Sequence, residues 1–251
     1  MTGVPTLTVA DGLATISLQR PDKRNRVEPD DITTVLEYCD AIDDDDSVRC
    51  VVLRATGPVW CSGYHLGALA DGHSPKHGFG ELCDRIERLR VPTVAVVAGS
   101  VHGGGTDLAL SCDFRVGTSE TGLVMPAAKI GLQYYASGLR RFVERIGPDA
   151  TKRIFLLGEK IDGSQLLGLG YLTDLVAFDQ MEARVEQIVA GVGAMAPMAV
   201  INTKSAINQL ASHSSELESI QARHVASLNS ADHREAMSAL KERRPPRFIG
   251  K

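Results

Sequence analysis

The chain has 251 residues, 43% of them hydrophobic and 23% charged; this composition suffices for one or two globular domains with a sizeable core and argues against a disordered or fibrous chain. Its formal net charge is −4, so it has no general electrostatic attraction to nucleic acid or anionic lipid. We therefore expect neither a nucleic-acid partner nor a membrane partner.

Strand and helix patterns alternate through the first half of the chain. Strands are predicted at Leu13–Leu18, Cys50–Arg54, Pro92–Ala98 and Phe114–Val116. Helices are predicted at Gly80–Leu89, at Gly104–Ser111, and up to about Ile42 from an N-cap at Asp30 or Asp31. This alternation implies parallel strand pairing through right-handed crossovers, an α/β class of fold, and ligand sites where strands end and helices begin.

After Gly138 every predicted element is a helix. The predicted helices lie near Gly138–Ile146, Asp149–Leu157, Ser164–Leu167, Gln180–Val192, Met198–Gln209, Glu216–Asn229 and Asp232–Arg243. We interpret residues 1–194 as the main domain and residues 195–251 as a C-terminal helical subdomain. Its apolar stripe, which contains Ile201, Ala206, Ile207 and Leu210, is typical of a packing surface.

The first chemical motif is Trp60–Leu66, directly after the strand that contains Val51 to Leu53. A cysteine near a histidine suggests a nucleophile and its base. However, a four-residue separation on an irregular segment does not force the side chains of Cys61 and His65 together. We expect Trp60 and Cys61 to be core residues, with Gly63 required for the backbone conformation.

The second motif contains the glycine triplet Gly103–Gly105, between a predicted strand and an Ala- and Leu-rich helix. Three glycines weaken both helix and strand, so the bare backbone must serve another purpose. The first turn of a helix presents unpaired N–H groups and the positive end of its dipole, which suits an oxyanion or a phosphate. Asp107, one turn into the helix, is either a functional carboxylate or a charge that favours the dipole.

Together these motifs resemble the crotonase, or enoyl-CoA hydratase/isomerase, superfamily. The matching segments are Gln19–Asn25, Trp60–Leu66, Pro92–Gly99, Gly103–Gly105, Cys112–Arg115 and Arg243–Phe248. The resemblance implies a crotonase-like ββα spiral core in residues 1–194 and a helical C-terminal oligomerisation subdomain that forms trimers or hexamers. It also implies an acyl-CoA thioester as the substrate, with no cofactor beyond its coenzyme A moiety.

The resemblance also implies roles for particular residues. The backbone N–H groups of Tyr64 and Gly104 would form an oxyanion hole for the thioester oxygen. Coenzyme A would lie along Ser62, Gly63 and Leu66 and beside two basic residues, Lys23 and Arg24, with help from Arg247 or Lys251 of a neighbouring subunit. For each basic residue a solvated surface charge is an equal alternative.

Two departures from the family pattern affect the expected chemistry. The family's hydratases use two glutamates to hold and deprotonate water, and the corresponding residues here are Asp107 and Ala127. Alanine cannot transfer a proton, so hydration by two carboxylates is in doubt, and isomerisation is weakened by the same loss.

A third motif, Gly131–Phe142, is similar to methylmalonyl-CoA decarboxylases, and Tyr134 matches their active-site tyrosine. Decarboxylation requires the substrate carboxylate to be oriented out of the thioester plane above an oxyanion hole, but no general-base pair. Against this, those enzymes have a histidine at the position of Tyr64, and a Tyr-Tyr pair is equally typical of packing beside a helix. Arg140 and Arg141 are expected on a solvated helix face.

Three functions remain open on the sequence. The first is an acyl-CoA lyase with Asp107 as the acid or base, the second is a malonyl-type decarboxylase that uses Tyr134, and the third is a non-catalytic acyl-CoA-binding protein.

Composition also bears on the compartment and on metals. The N-terminal residues 1–10 contain no basic region followed by an apolar run, and no window approaches the roughly 18 apolar residues of a membrane span. We therefore expect a cytoplasmic protein. The cysteines lack metal-ligand spacing, which predicts reduced thiols and no metal site; they are Cys39, Cys50, Cys61, Cys83 and Cys112.

Overall fold

The computed structural model describes residues 3–65, 67, 68, 76–212 and 217–251. Its strands are β1 (Thr6–Ala10), β2 (Leu13–Leu18), β3 (Cys50–Ala55), β4 (Val59–Cys61), β5 (Thr93–Val97), β6 (Ser100–His102), β7 (Phe114–Gly117), β8 (Gly122–Val124), β9 (Ile161–Asp162) and β10 (Asp174–Leu175). Its helices are α1 (Pro29–Asp44), α2 (Phe79–Glu87), α3 (Gly104–Leu110), α4 (Ala136–Lys152), α5 (Gly163–Gly168), α6 (Met181–Gly193), α7 (Pro197–Ala211), α8 (Leu217–Leu228) and α9 (Ala231–Glu242). Short 3-10 turns lie at Pro21–Lys23, Ala127–Ile130 and Phe178–Gln180.

The strands form two sheets. The larger has the order β1-β2-β3-β5-β7-β10, and the smaller has the order β4-β6-β8-β9. Pairing in the larger sheet is parallel from β2 to β10, with β1 added antiparallel at the edge. From β3 to β8 consecutive strands therefore alternate between the sheets, and each of the pairs β3–β4 and β5–β6 is followed by a helix. This is the predicted crotonase-like ββα spiral, which is confirmed.

Apolar residues bury both faces of the larger sheet. On β3, Val51 and Leu53 belong to the main core, whereas Cys50 and Val52 pack in a second cluster with Met181 of α6. Burial on both faces explains why this strand is a continuous apolar run in the sequence rather than an alternating pattern.

Several predicted boundaries agree with the structure, and one cap does not. Gly147 has a φ of 78° and divides α4 where two separate helices were predicted. The predicted cap of the first helix is wrong, because α1 begins at Pro29 with Glu28 as its N-cap. Asp31 lies in the first turn, where its carboxylate accepts the Glu28 N–H at 2.8 Å.

The predictions also missed the smaller sheet. Its strands have only two or three residues each, which is too few to produce a periodic pattern. In the sequence their apolar residues cannot be told apart from those of the neighbouring strands of the larger sheet. The edge strand β1 was missed because it is mostly exposed.

The C-terminal region is helical, as predicted, and α7 is anchored to the core. The Lys204 ammonium lies 2.7 Å from Asp113 and donates to the Val91 carbonyl at 2.9 Å. Of the predicted apolar stripe, Ile201 packs against the core, whereas Ile207 and Leu210 are exposed. The boundary at residue 195 stays a prediction.

Within the described residues no single helix is long and apolar enough to cross a bilayer, although the segments Phe178–Gly193 and Pro197–Ala211, which meet at a 106° bend, jointly satisfy the length and composition criteria. The five cysteines are buried and unpaired.

Candidate active site

The first predicted amide donor, Tyr64, forms an isolated parallel bridge with Val27. The Val27 N–H donates to the Gly63 carbonyl at 2.8 Å, and the His65 N–H donates to the Val27 carbonyl at 3.0 Å. Since the bridge uses the groups on either side of Tyr64, the N–H of Tyr64 itself points away from Val27. No backbone carbonyl of the described residues accepts it.

The second predicted donor, Gly104, is the first residue of α3. N–H groups in the first turn of a helix have no partner within the helix. The loop that carries Tyr64 lies directly against this turn, because Gly63 adopts a φ of 85° and a Cβ there would lie 2.5 Å from the Gly104 nitrogen. Only glycine satisfies both conditions at position 63, which confirms that it is present for its backbone.

Tyr64 and Gly104 line the same cavity, which has a volume of about 640 Å³. Its apolar lining includes Phe79, Met125, Ala127, Ile130 and Leu132, and its polar lining includes Ser62, Glu81, Asp84, Tyr134 and Tyr135. Ala127, which is expected to replace the second glutamate of the hydratases, is buried. The cavity therefore brings both predicted donor residues together with an apolar pocket of a size suited to a small organic group.

Asp107, predicted as the acid or base, is buried with 0% exposure and is not among the residues that line this cavity. Both of its oxygens lie 2.8 Å from Nη1 of Arg141. Its Oδ2 also accepts the Tyr135 hydroxyl at 2.5 Å. The carboxylate is thus held in a buried ion pair, and Tyr135 connects it to the cavity.

Tyr134 and Tyr135 form a stacked pair at the cavity wall. Their ring centroids are 4.3 Å apart at an interplanar angle of 27°, and the Tyr134 hydroxyl donates to the Tyr135 hydroxyl at 3.2 Å. Burial is the main cause that raises the pKa of both phenols, and the neighbouring Asp107 and Cys83 add to it. Both tyrosines therefore remain neutral hydroxyl groups at physiological pH.

The expectation of a solvated Arg141 is wrong, because its side chain is completely buried. The guanidinium contacts Asp107 of α3 as well as Asp84 and Glu87 of α2, at 2.6 and 3.1 Å respectively. Its burial is possible because three carboxylates surround it. Arg140 is partly exposed and pairs with Glu87 at 2.6 Å.

Sequence reasoning missed Tyr135, Arg141 and Asp84 as residues of the site. The only sequence signal for Tyr135 was its position next to Tyr134. For Asp84 and Arg141 no local pattern distinguishes a buried ion pair from charges on a solvated helix, since each contact joins residues more than 30 positions apart.

Of the predicted coenzyme A residues, Ser62 lines the cavity. Lys23 and Arg24 are exposed, and the Ser62 N–H donates to the Arg24 carbonyl at 3.0 Å. The basic turn is therefore in contact with the loop that carries Ser62 and Gly63. Leu66 lies outside the described residues.

Cys61 and His65 do not form a catalytic pair. His65 Nδ1 lies 2.6 Å from Glu28 Oε2, whereas the Cys61 sulfur accepts the Gly63 N–H at 3.3 Å. Burial raises the pKa of the Cys61 thiol to about 12, so it is not a nucleophile at neutral pH. Among the described residues, no group of three or more His, Cys, Asp or Glu side chains is arranged to hold a metal ion.

Comparison with known proteins agrees with the fold. Residues 8–251 match the family model for enoyl-CoA hydratase/isomerase. The chain belongs to this family. It is 27% identical to the enoyl-CoA isomerase/hydratase fer4 of Mycosarcoma maydis, over 96% of this chain and 93% of that protein. It is 25% identical to the methylmalonyl-CoA decarboxylase of Escherichia coli K12, over 81% of this chain and 82% of that protein.

The fold is shared with solved members of the enoyl-CoA hydratase/isomerase family. One crystal structure of a family member superposes with a TM-score of 0.90 at 27% identity, covering 99% of this chain and 98% of that one. The chain therefore has the crotonase fold and belongs to a family of enzymes that act on acyl-CoA thioesters.

Proposed function

We propose that this protein is an acyl-CoA lyase that stabilises a thioester enolate with the backbone N–H groups of Tyr64 and Gly104. Support comes from the two amides, which are free of partners in the described part of the chain and line one apolar cavity. Preorganised donors aimed at a developing oxyanion contribute about 3 to 4 kcal/mol each in enzymes of acyl chemistry. Coenzyme A would lie along Ser62 and Gly63, with its phosphates near Lys23 and Arg24.

The reaction that the geometry supports best is decarboxylation of a malonyl-type thioester. One observation carries this proposal: position 127 has no carboxylate, and Asp107 has one that is ion-paired behind Tyr135, while Tyr134 lines the cavity. A hydratase must hold and deprotonate water at the acyl group. A decarboxylase requires only orientation of the leaving carboxylate and an acceptor for the enolate charge.

In the proposed reaction the bond between the α-carbon and the carboxylate breaks, and carbon dioxide leaves. The electron pair of that bond moves into the thioester, whose oxygen becomes the enolate oxygen bound by Tyr64 and Gly104. A proton from water then restores the α-carbon. Tyr134 would hold the carboxylate out of the thioester plane, and the apolar wall formed by Met125, Ala127 and Leu132 would limit its solvation. One relative, the methylmalonyl-CoA decarboxylase of Escherichia coli K12, is named for a reaction of this kind.

The test compares Tyr134→Phe with Asp107→Asn on two substrates, methylmalonyl-CoA and crotonyl-CoA. We expect the wild-type enzyme to release carbon dioxide from methylmalonyl-CoA, measured with a coupled assay. Tyr134→Phe should lower kcat by roughly 10²-fold, the scale for a lost positioning contact at the reacting group. If instead the enzyme hydrates crotonyl-CoA and Asp107→Asn removes about 10²- to 10⁴-fold of that activity, Asp107 is an acid or base and the decarboxylase proposal fails.

The same assay distinguishes an enzyme from a non-catalytic binding protein. A silent binder would turn over neither thioester nor longer homologues, yet coenzyme A or a short acyl-CoA would still raise its melting temperature by binding the native state. That combination of results would contradict the proposed enzyme activity, although not the proposed ligand.

A further inference from the structure

The Tyr135 hydroxyl links the cavity to the buried charges behind it. It lies 2.5 Å from Oδ2 of Asp107 on one side and 3.2 Å from the hydroxyl of Tyr134 on the other. Arg141 is the last member of this hydrogen-bonded series, and its Nη1 lies 2.8 Å from both oxygens of Asp107. Four side chains from two helices and the loop between β8 and α4 therefore form one continuous hydrogen-bonded series.

The direction of each hydrogen bond in this series follows from the chemistry of its members. The carboxylate of Asp107, paired with the permanently charged Arg141, accepts hydrogen bonds only. Tyr135 must therefore donate its one hydroxyl proton to Asp107. Its oxygen is left as an acceptor, so Tyr134 donates to Tyr135. The charge of Asp107 thus determines the orientation of the Tyr134 hydroxyl through Tyr135.

The space around both rings is shaped for this pair. A Cβ on Gly80 would lie 2.9 Å from the ring of Tyr135, and a Cβ on Gly138 would lie 2.5 Å from the ring of Tyr134 and 2.7 Å from that of Tyr135. Any side chain at either glycine would displace a tyrosine. The rings are therefore held by backbone on α2 and α4.

We propose that Tyr135 is a positioning residue that holds the Tyr134 hydroxyl in place for the acyl group, and that Asp107 is its anchor rather than an acid or base. This inference rests on the proposed function. When the cavity is empty, the Tyr134 hydroxyl donates to Tyr135. A substrate carboxylate, which is a stronger acceptor than a neutral hydroxyl, then shares that proton with Tyr135 in a three-centre hydrogen bond, so the hydroxyl stays oriented and neither ring has to move. The tyrosine pair therefore selects acyl groups that carry a hydrogen-bond acceptor next to the Tyr134 hydroxyl.

The kinetic test uses Tyr135→Phe, which removes only the middle hydroxyl and keeps the ring between Gly80 and Gly138. We expect kcat on methylmalonyl-CoA to fall about 10- to 100-fold, with KM changed less than about threefold, because the loss is one of orientation. The double variant Tyr134→Phe/Tyr135→Phe should be no slower than Tyr134→Phe alone, since the two hydroxyls act as a unit. Multiplicative losses in the double variant would overturn the proposal.

The matched control is Tyr38→Phe. It removes a hydroxyl that donates to the Pro5 carbonyl at 3.0 Å, outside the cavity. This variant should retain wild-type kcat and KM. If Tyr38→Phe lowered kcat as much as Tyr135→Phe does, the loss of activity would reflect general destabilisation rather than positioning.

A second measurement does not depend on activity. The protein has five tyrosines, so carbon-13 labelling at Cζ produces a small set of resonances that Phe substitutions assign. We expect Tyr135→Phe to shift the resonance of Tyr134 and leave that of Tyr38 unchanged. Asp107→Asn should shift the resonances of both Tyr135 and Tyr134. The amide of asparagine is a weaker acceptor than the carboxylate, or it donates to Tyr135 through its N–H groups.

The two measurements separate the possible failures. If wild-type protein turns over no thioester, the proposed function fails, while the resonances still test the hydrogen-bonded series. If Tyr134 does not respond to Tyr135→Phe, the series is absent and the inference fails, whatever the protein catalyses.

Discussion

At Gly104 two requirements coincide in one residue. Its N–H is one of the proposed oxyanion donors, and its missing side chain leaves room for Phe79, whose ring would lie 2.7 Å from a Cβ at this position. Gly104 is also the first residue of α3, where proline is well tolerated because its missing N–H has no partner in the helix. The contribution of the amide can therefore be separated from that of the packing.

We predict that Gly104→Pro is slower than Gly104→Ala by roughly 10²- to 10³-fold in kcat, the cost of one lost oxyanion donor. Both variants place a Cβ against Phe79, so the alanine variant controls for crowding at that ring, whereas only the proline variant lacks the N–H and carries ring atoms beside Gly63. The measurement is the steady-state rate on methylmalonyl-CoA, with circular dichroism to confirm folding. Equal rates for the two folded variants would exclude Gly104 as a donor.

At the scale of elements, one group of charges joins the helices around the cavity. Arg141 of α4 contacts carboxylates on α2 and α3, and Glu87 of α2 contacts Arg140, Arg141 and Arg145 of α4. Burial alone would raise the pKa of Glu87, but Arg141, Arg140 and Arg145 together lower it below its ordinary value of 4.5. The ionised form of Glu87 is therefore preferred in the folded state.

The sign of the pH effect follows from that lowered pKa. Glu87 contributes its full stabilisation above its unfolded pKa of 4.5, and the contribution is lost as the pH falls through the lower pKa of the folded state. We predict that Glu87→Gln lowers the free energy of unfolding by about 3 kcal/mol near neutral pH, because it leaves buried cations short of a partner. The deficit relative to wild type should shrink below the ordinary pKa of Glu87.

Urea unfolding at several pH values measures this deficit. The control is Glu186→Gln on the exposed side of α6, which should change stability by less than about 0.5 kcal/mol. A deficit for Glu87→Gln that stays constant from neutral pH to acid would contradict the electrostatic origin of the effect.

At the scale of the whole molecule, α7 leaves apolar side chains in solvent. Ile207 is 59% exposed and Leu210 is 48% exposed, although the same helix is anchored to the core through Lys204. Exposed apolar residues on an anchored helix are typical of a surface between subunits. This arrangement supports the proposal that the C-terminal region forms trimers, which can pair into hexamers.

We predict that light scattering at micromolar concentration reports three or six times the chain mass of 26.9 kDa. Ile207→Lys should shift the distribution to smaller species, because a charge at an apolar interface is left without a partner. Val9→Lys, at an exposed position of the edge strand β1, is the control and should leave the mass unchanged. A stable monomer of wild-type protein would contradict the prediction.

The sequence by itself determined the family, the α/β class and most of the longer elements. The local patterns that predicted them are the continuous apolar strand Cys50–Arg54, the helix periodicity after Gly138, and the glycines at 63 and 103–105. Each of these patterns involves only residues that are close together in the sequence. The short strands of the smaller sheet carried too few residues for such a pattern, and the cap of α1 was displaced by Pro29, which is fixed at the first helical position.

Only the tertiary structure decided how the site is arranged. Asp107 was visible in the sequence as a carboxylate one turn into a helix, but its role depends on Tyr135 and Arg141, which lie 28 and 34 positions further along the chain. Whether Arg141 is solvated or buried depends on which helices pack beside α4, and an ion pair in the interior differs from one on the surface only in its surroundings. The packing of α2, α3 and α4 around one guanidinium therefore places the carboxylate of Asp107 in a buried ion pair that no local pattern in the sequence indicated.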